Sequence, residues 1–311
     1  MLCLKKVNLL MLLAFSVAFA ACSKNKKKKQ TCFLSENYSH FPYTINKPSD
    51  TYVLPNNLRE ISGLSFSNTD NLLCVNDEQG YIFEYDLQKR KVNRKIKFAK
   101  KGDYEGIELV GEKAVVLRSD GKLYFVESLV EAETQSKKKK TGLSLKNDTE
   151  GLAYDVSTQT LLIACKGLSH VHPKYADKRA IYRFSLTDSI LISEPSILVD
   201  QRDLEKILKL DAYTKFSNKL LNSINPSKGN LTFQPSGIAI HPISKNIYIL
   251  GSVGKLLLVT NSEGELLAIN RLKRKIFPQP EGICFSPDGT LYISTEGKVS
   301  QGRIHRFDYK P

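Results

Sequence analysis

Gln279-Pro280-Glu281-Gly282-Ile283-Cys284-Phe285 runs into the turn Ser286-Pro287-Asp288-Gly289 and then into Leu291-Tyr292-Ile293. This is a short apolar strand, a turn built from residues that favour tight reversals, and a second strand. The opening Glu-Gly pair recurs. It stands at Asp103-Tyr104-Glu105-Gly106-Ile107 and at Asp148-Thr149-Glu150-Gly151-Leu152, with relatives at Arg59-Glu60-Ile61-Ser62-Gly63-Leu64 and Gln234-Pro235-Ser236-Gly237-Ile238. Measured at or nearest the Glu position, the starts fall at 60, 105, 150, 236 and 281, so the spacings are 45, 45, 86 and 45. Each start leads to a strand, a turn, a second strand, a Gly-containing turn and a third, alternating strand, such as Tyr81-Ile82-Phe83-Glu84-Tyr85 or Arg303-Ile304-His305-Arg306-Phe307. Short strands at a period near 45 predict β-propeller blades stacked around an axis, because one blade cannot bury both its faces alone.

The doubled interval of 86 admits either a sixth blade or one blade with an insert. Between Asp203 and Asn222 the apolar residues Leu204, Ile207, Leu208, Tyr213, Phe216 and Leu220 follow an approximate helical spacing. The reading is therefore an all-β, five-bladed propeller over residues 41–311 with a short helical insertion at about 196–233, and six blades as the alternative. The last blade runs out after three strands, and Tyr52-Val53-Leu54 is expected to supply its missing outer strand.

The matching motifs at Glu60–Leu64, Tyr104–Ile107, Glu150–Asp155, Pro235–Ala239 and Pro280–Gly289 resemble those of the SdiA-regulated (YjiK-like) family of bacterial propellers over roughly residues 50–311. The resemblance implies a five-bladed propeller, distantly similar to NHL-repeat proteins, with calcium near the axis and no defined enzymatic activity. The residues also point toward a cation on their own. The first strand of each propeller blade lines the channel, so Glu60, Glu105, Glu150 and Glu281 would form a ring, with Ser236 at the fifth place. Like charges that close must be offset by protonation, basic side chains or a cation. A hard cation with six to eight oxygen ligands, calcium rather than magnesium, suits such a flexible set. The competing reading is that these glutamates hydrogen-bond backbone N–H groups of neighbouring blades and hold no metal. Glu60 is also offset by one residue, since Ile61 and Ser62 precede its Gly63.

The N-terminus carries an address. Lys5 and Lys6 precede an apolar run from Val7 to Ala21, too short for a transmembrane helix, that ends in Phe19-Ala20-Ala21-Cys22. Small residues before a Cys resemble the lipobox of bacterial lipoproteins, with Phe19 where Leu is commoner. By that resemblance residues 1–21 are a signal peptide and Cys22 is acylated. Residues 22–40 would form a polar tether, and Lys26–Lys29 would be drawn to anionic headgroups.

Of the 311 residues, 41% are hydrophobic and 25% charged, which supports a sizeable core and excludes wholesale disorder. The formal charge is +14, but part of the excess sits in Lys26–Lys29 and Lys137–Lys140, the second run expected in an exposed loop. With the export signal, this argues against nucleic acid as a partner. No cysteine pair is close in sequence, and Cys74, Cys165 and Cys284 fall in strand-like runs, so no structural disulfide is expected. His170-Val171-His172 places two histidines on one side of an extended segment, either a transition-metal pair with Asp177 as its one nearby carboxylate or, as preferred, solvated loop histidines, and Asn76-Asp77-Glu78 reads as either a solvated turn or extra oxygens at a blade mouth. No phosphate-cradling loop, zinc-protease motif or nucleophile elbow is present. The functional expectation is a lipid-anchored, calcium-binding propeller of the bacterial cell envelope. It would serve as a binding or scaffold module for a protein, glycan or small ligand, with a calcium-dependent lactonase-, esterase- or phytase-like hydrolase as the alternative.

Overall fold

The computed structural model describes residues 31–68, 70–169, 178–204 and 233–311. Two short strands come first, β1 (Thr31–Leu34) and β2 (Asp50–Val53), and neither opens a blade. Blade one is β3 (Ile61–Phe66), β4 (Asn71–Asn76), β5 (Tyr81–Asp86) and β6 (Lys91–Lys97). Blade two is β7 (Tyr104–Val110), β8 (Lys113–Arg118), β9 (Lys122–Val126) and β10 (Ser136–Lys140). Blade three is β11 (Thr149–Asp155), β12 (Thr160–Cys165) and β13 (Lys178–Ser185), with the short β14 (Ile190–Leu191) and β15 (Ile197–Asp200) both pairing β13. Blade four is β16 (Gln234–Ile240), β17 (Ile247–Val253), β18 (Leu256–Thr260) and β19 (Leu266–Arg271). Blade five is β20 (Pro280–Phe285), β21 (Leu291–Thr295) and β22 (Arg303–Phe307).

Five antiparallel sheets thus stand where five repeats were read, and the 86-residue interval holds no sixth sheet among the described residues. The ring closes as expected. β2 pairs with β22, Tyr52 opposite Ile304, and completes blade five. Tyr52, Leu58, Ile61 and Leu64 then pack with Cys284, Tyr292 and Ile304, so blade five is sealed to blade one through buried apolar surface.

Burial falls from the axis outward. Every residue of β12 is buried, whereas β6 and β10 are mostly exposed, because inner strands are covered by both neighbouring blades and outer strands form the rim. Lys137–Lys140, expected in a loop, are this rim. They form the outer strand of blade two, Lys138 opposite Tyr124. Alternate side chains of an outer strand leave the sheet on both faces, so a lysine run is compatible with pairing to β9 while charging the free edge against further strands.

Two boundaries move. Ile197–Asp200, expected in the insertion, pairs with β13, so the excursion begins after Asp200; residues 201–204 are helical. The rest of the expected helix, residues 205–222, lies outside the described residues, as do His170 and His172, Lys26–Lys29 and Cys22. Residues 31–34, expected in the tether, form β1, which adds a fifth strand to blade four against β19. The segment after it is also built in, since Tyr43 and Ile45 are buried in the core between blades four and five. Tyr43 Oη donates to the carbonyl of Gly289 at 2.6 Å and lies 2.8 Å from His241 Nε2. Cys74, Cys165 and Cys284 are buried free thiols.

Candidate functional site

The five inner strands β3, β7, β11, β16 and β20 line the axis, and each carries an irregularity at the Glu-Gly motif. Tyr104 pairs with Arg118 and Gly106 with the adjacent Leu117, so Glu105 has no partner. Glu150 is bypassed in the same way between Thr149 and Gly151. Glu281 and Gly282 together face one residue between Pro280 and Ile283, and so do Ser62 and Gly63 between Ile61 and Leu64. Such bulges re-aim a side chain out of the alternating pleat. Here they turn Glu105, Glu150 and Glu281 to the start of the channel.

The glycine of each motif allows the inner strands to approach. A Cβ at Gly106 would come within 2.7 Å of Leu152 Cβ in the next blade, and one at Gly282 would press on the carbonyl oxygen of Ser62. The channel is consequently constricted at this level to about 10 Å³, room for about one water. Neighbouring blades are tied by hydroxyls. Ser62 Oγ donates to Glu105 Oε2 at 3.0 Å, Ser236 Oγ to the carbonyl of Pro280 at 2.8 Å, and Ser294 Oγ to that of Ser62 at 3.1 Å.

The four predicted glutamates therefore divide. Glu105, Glu150 and Glu281 line the constricted channel together. Glu60 does not. Ser62 takes the equivalent place beside its glycine, and Glu60 sits in the turn before β3, where its charge acts on Asp77 and Glu296. Burial raises all three channel carboxylates. Glu105 is pushed well up by burial, then by Glu150, Asp103 and Glu281. Burial likewise raises Glu150, opposed by the Lys166 ammonium, which donates to Glu150 Oε1 at 2.6 Å. Glu281 reaches about 8 through burial and the charge of Glu150, partly relieved by Lys166.

Other groups at this mouth come from the turns after the second strands and the approaches to the first. Asp77, flagged as a possible mouth residue, is raised to about 6 by burial and by Glu60, Glu296, Glu78 and Asp103. Its Oδ1 is buried with no hydrogen-bond partner. Burial opposes the charge on Lys166, but Glu150 and Asp148 outweigh it and hold that ammonium well above its ordinary value. Lys255 is lowered to about 8 by burial. Asp103, Asp148, Lys166, Lys255 and Glu296 were not singled out from the sequence. A signal for two of them exists in the repeated Asp-x-Glu-Gly of Asp103–Gly106 and Asp148–Gly151.

The donor chemistry is of the kind a hard cation takes, carboxylate oxygens and a buried oxygen without a partner, set among the cations Lys166, Lys255, Lys298 and Arg59. The backbone-clamp alternative is met only partly. The partners seen for Glu105 are the side chains of Ser62 and Asp103, and that for Glu150 is the side chain of Lys166. Among the described residues no three His, Cys, Asp or Glu side chains are placed so that together they could hold a metal ion, so the three glutamates as positioned do not form a ready-made metal site.

Fold and site together define a five-bladed β-propeller with an acidic channel mouth. The family described as SdiA-regulated matches residues 43–167, that is, the lead-in with β2, blades one and two and the first two strands of blade three. Over those residues the chain is similar to the SdiA-regulated family, and its fold is a five-bladed β-propeller. No curated protein matches the sequence. Among solved structures, the glutaminyl cyclase of Myxococcus xanthus is 11% identical, with 85% of this chain and 96% of that one covered and a TM-score of 0.54. A luciferin-regenerating enzyme is 12% identical, with 84% and 95% covered and a TM-score of 0.52. At these identities the likeness shows the fold.

Proposed function

We propose that this chain is an extracytoplasmic, calcium-binding propeller lipoprotein of the bacterial cell envelope, anchored through acylated Cys22 and acting as a binding or scaffold module. The observation that carries the reading is the convergence of Glu105, Glu150 and Glu281 on one channel level, with Asp77, whose buried Oδ1 has no partner, linked to it through the charges of Asp103 and Glu296. Burial and mutual repulsion hold these groups toward their protonated forms, and a divalent cation would relieve both costs. Glu60 would act at the rim, through its field on Asp77. Among the described residues no helix is long and apolar enough to cross a membrane, and the lipid anchor in this reading rests on the likeness of Phe19-Ala20-Ala21-Cys22 to a lipobox. The test is metal analysis of purified protein together with calcium titration followed by melting temperature. Bound calcium and a rise in melting temperature support the reading. No bound metal and an unchanged curve would reduce the glutamates to a structural role.

One observation favours the alternative of a calcium-dependent hydrolase. Glu281 and Lys255 are both held near 8, so each can exchange a proton near neutral pH. A screen of lactones, esters and phosphate esters, with and without calcium, separates the two. Turnover lost in Glu281→Gln supports the enzyme, and its absence across the panel leaves the binding module.

A further inference from the structure

The channel has a second mouth at the C-terminal ends of the inner strands, beyond the glycine constriction. It opens into a cavity of about 400 Å³, within the range of small-ligand sites. Three residues past the motif position the five blades carry Ser65, Glu108, Ala153, Ala239 and Cys284. Four of these are small, which leaves space beside the axis, and the fifth is a single carboxylate. Ser65, Glu108, Ala239 and Cys284 line the cavity with the rings of Phe66, Tyr154 and Phe285. Phe66 is held by stacking on Tyr292, with centroids 6.0 Å apart, and Phe285 by an edge contact with His241 at 4.9 Å. The walls are therefore fixed before any ligand arrives.

The hydrogen bonding around Glu108 is directional. The backbone N–H of Leu109 donates to Ser65 Oγ at 3.1 Å, which leaves the Ser65 hydroxyl proton for the Glu108 carboxylate. The Tyr154 backbone N–H also favours the ionised form. Against these, burial pushes Glu108 up to about 8, although part of its surface faces the cavity. No lysine, arginine or histidine lines this cavity among the described residues, and the other charged lining group, Glu112, is itself acidic. A recessed carboxylate without a cation, beneath apolar rings, lacks the charge that would complete it.

We propose that this mouth binds a small organic amine with an apolar body, its ammonium paired with the Glu108 carboxylate and its body against Phe66, Tyr154 and Phe285. Carboxylate and aromatic faces both attract an ammonium. The Phe rings supply the apolar contact. The ligand enters from the face opposite the acidic ring, since the glycine level admits about one water. The site is thus independent of any calcium at the other mouth.

The test uses the full-length chain and three probes of similar size: benzylamine, benzyl alcohol and benzoate. Calorimetric titration should show benzylamine binding at least about tenfold tighter than benzyl alcohol, with no binding of benzoate. Between pH 6 and 8 the benzylamine affinity should rise by up to about tenfold per pH unit as Glu108 ionises, and then level off. Glu112, Cys284 and Tyr154 are the other titratable groups facing Glu108. Burial holds the Cys284 thiol well above its ordinary value, so it stays neutral in this range. Glu108→Gln should abolish both the preference for the amine and its pH dependence while keeping the melting temperature at pH 6. Glu112→Gln should retain both features and Glu281→Gln should leave the affinity unchanged. Equal binding of benzylamine and benzyl alcohol, undiminished amine binding by Glu108→Gln, loss of amine binding in Glu281→Gln, or no amine binding at all overturns the proposal.

Discussion

Replacing Glu281 with Gln removes a charge from the acidic mouth with little change in shape. Glu281 is buried, and its carboxyl is displaced from an ordinary 4.5 to about 8. In the unfolded chain the same carboxyl ionises near its ordinary value. Between those two pH values the folded state holds a proton that the unfolded state has lost, so wild-type stability falls as pH rises. The loss starts above about 4.5 and is complete once pH passes about 8. At about 1.4 kcal/mol per pH unit the full effect is on the order of 4–5 kcal/mol. Glu150 and Lys166 share in it, so about 2–3 kcal/mol is expected from this residue alone. For a domain of this size that corresponds to roughly 4–10 °C in melting temperature. Glu281→Gln should therefore gain that much on wild type between pH 5 and pH 8.5 in calcium-free buffer. Any constant offset from the altered side chain cancels in the comparison. Thermal unfolding at the two pH values measures it. An equal difference between variant and wild type at both pH values, or a wild-type melting temperature that climbs from pH 5 to 8, would sink the reasoning.

Calcium at a hundredfold excess over its dissociation constant should stabilise wild type by about 2.7 kcal/mol, and Glu150→Gln or Glu281→Gln should shrink that gain without unfolding the propeller. Gly282→Ala should cost about 1–3 kcal/mol by overpacking at the closure, where the new methyl meets the Ser62 carbonyl, with Ser294 Oγ at 2.8 Å and Leu64 Cγ at 2.9 Å; denaturant titration reads it, and an unchanged midpoint would mean the blades can separate freely there. Mass spectrometry should find Cys22 as the first residue with an added lipid mass, and Cys22→Ala should move the protein from the membrane to the soluble fraction. A mature chain starting elsewhere contradicts the anchor.

Blade number and closure were legible because both are local patterns repeated. The Glu-Gly starts mark β7, β11 and β20, the Ser-Gly variants mark β3 and β16, and an unfinished last blade calls for a strand such as β2. β1 was not legible. Thr31–Leu34 is short and follows a polar stretch, and only the free edge of β19 makes it a strand. Lys137–Lys140 carries no apolar alternation, so its pairing with β9 is likewise imposed by position in the sheet.

The candidate site shows the same division. Sequence by itself determined that carboxylates recur beside the axis, because a repeat places equivalent residues at equivalent radii. It did not determine which of them meet. That rests on bulges that aim Glu105, Glu150 and Glu281 into the channel and leave Glu60 in a turn. It rests also on Asp77, Lys166 and Lys255, which lie far apart in the chain and are gathered only by ring closure. Glu108 was invisible for a related reason. Its significance comes from the small residues that four other blades place around it, and a contact between five strands has no signature in any one of them.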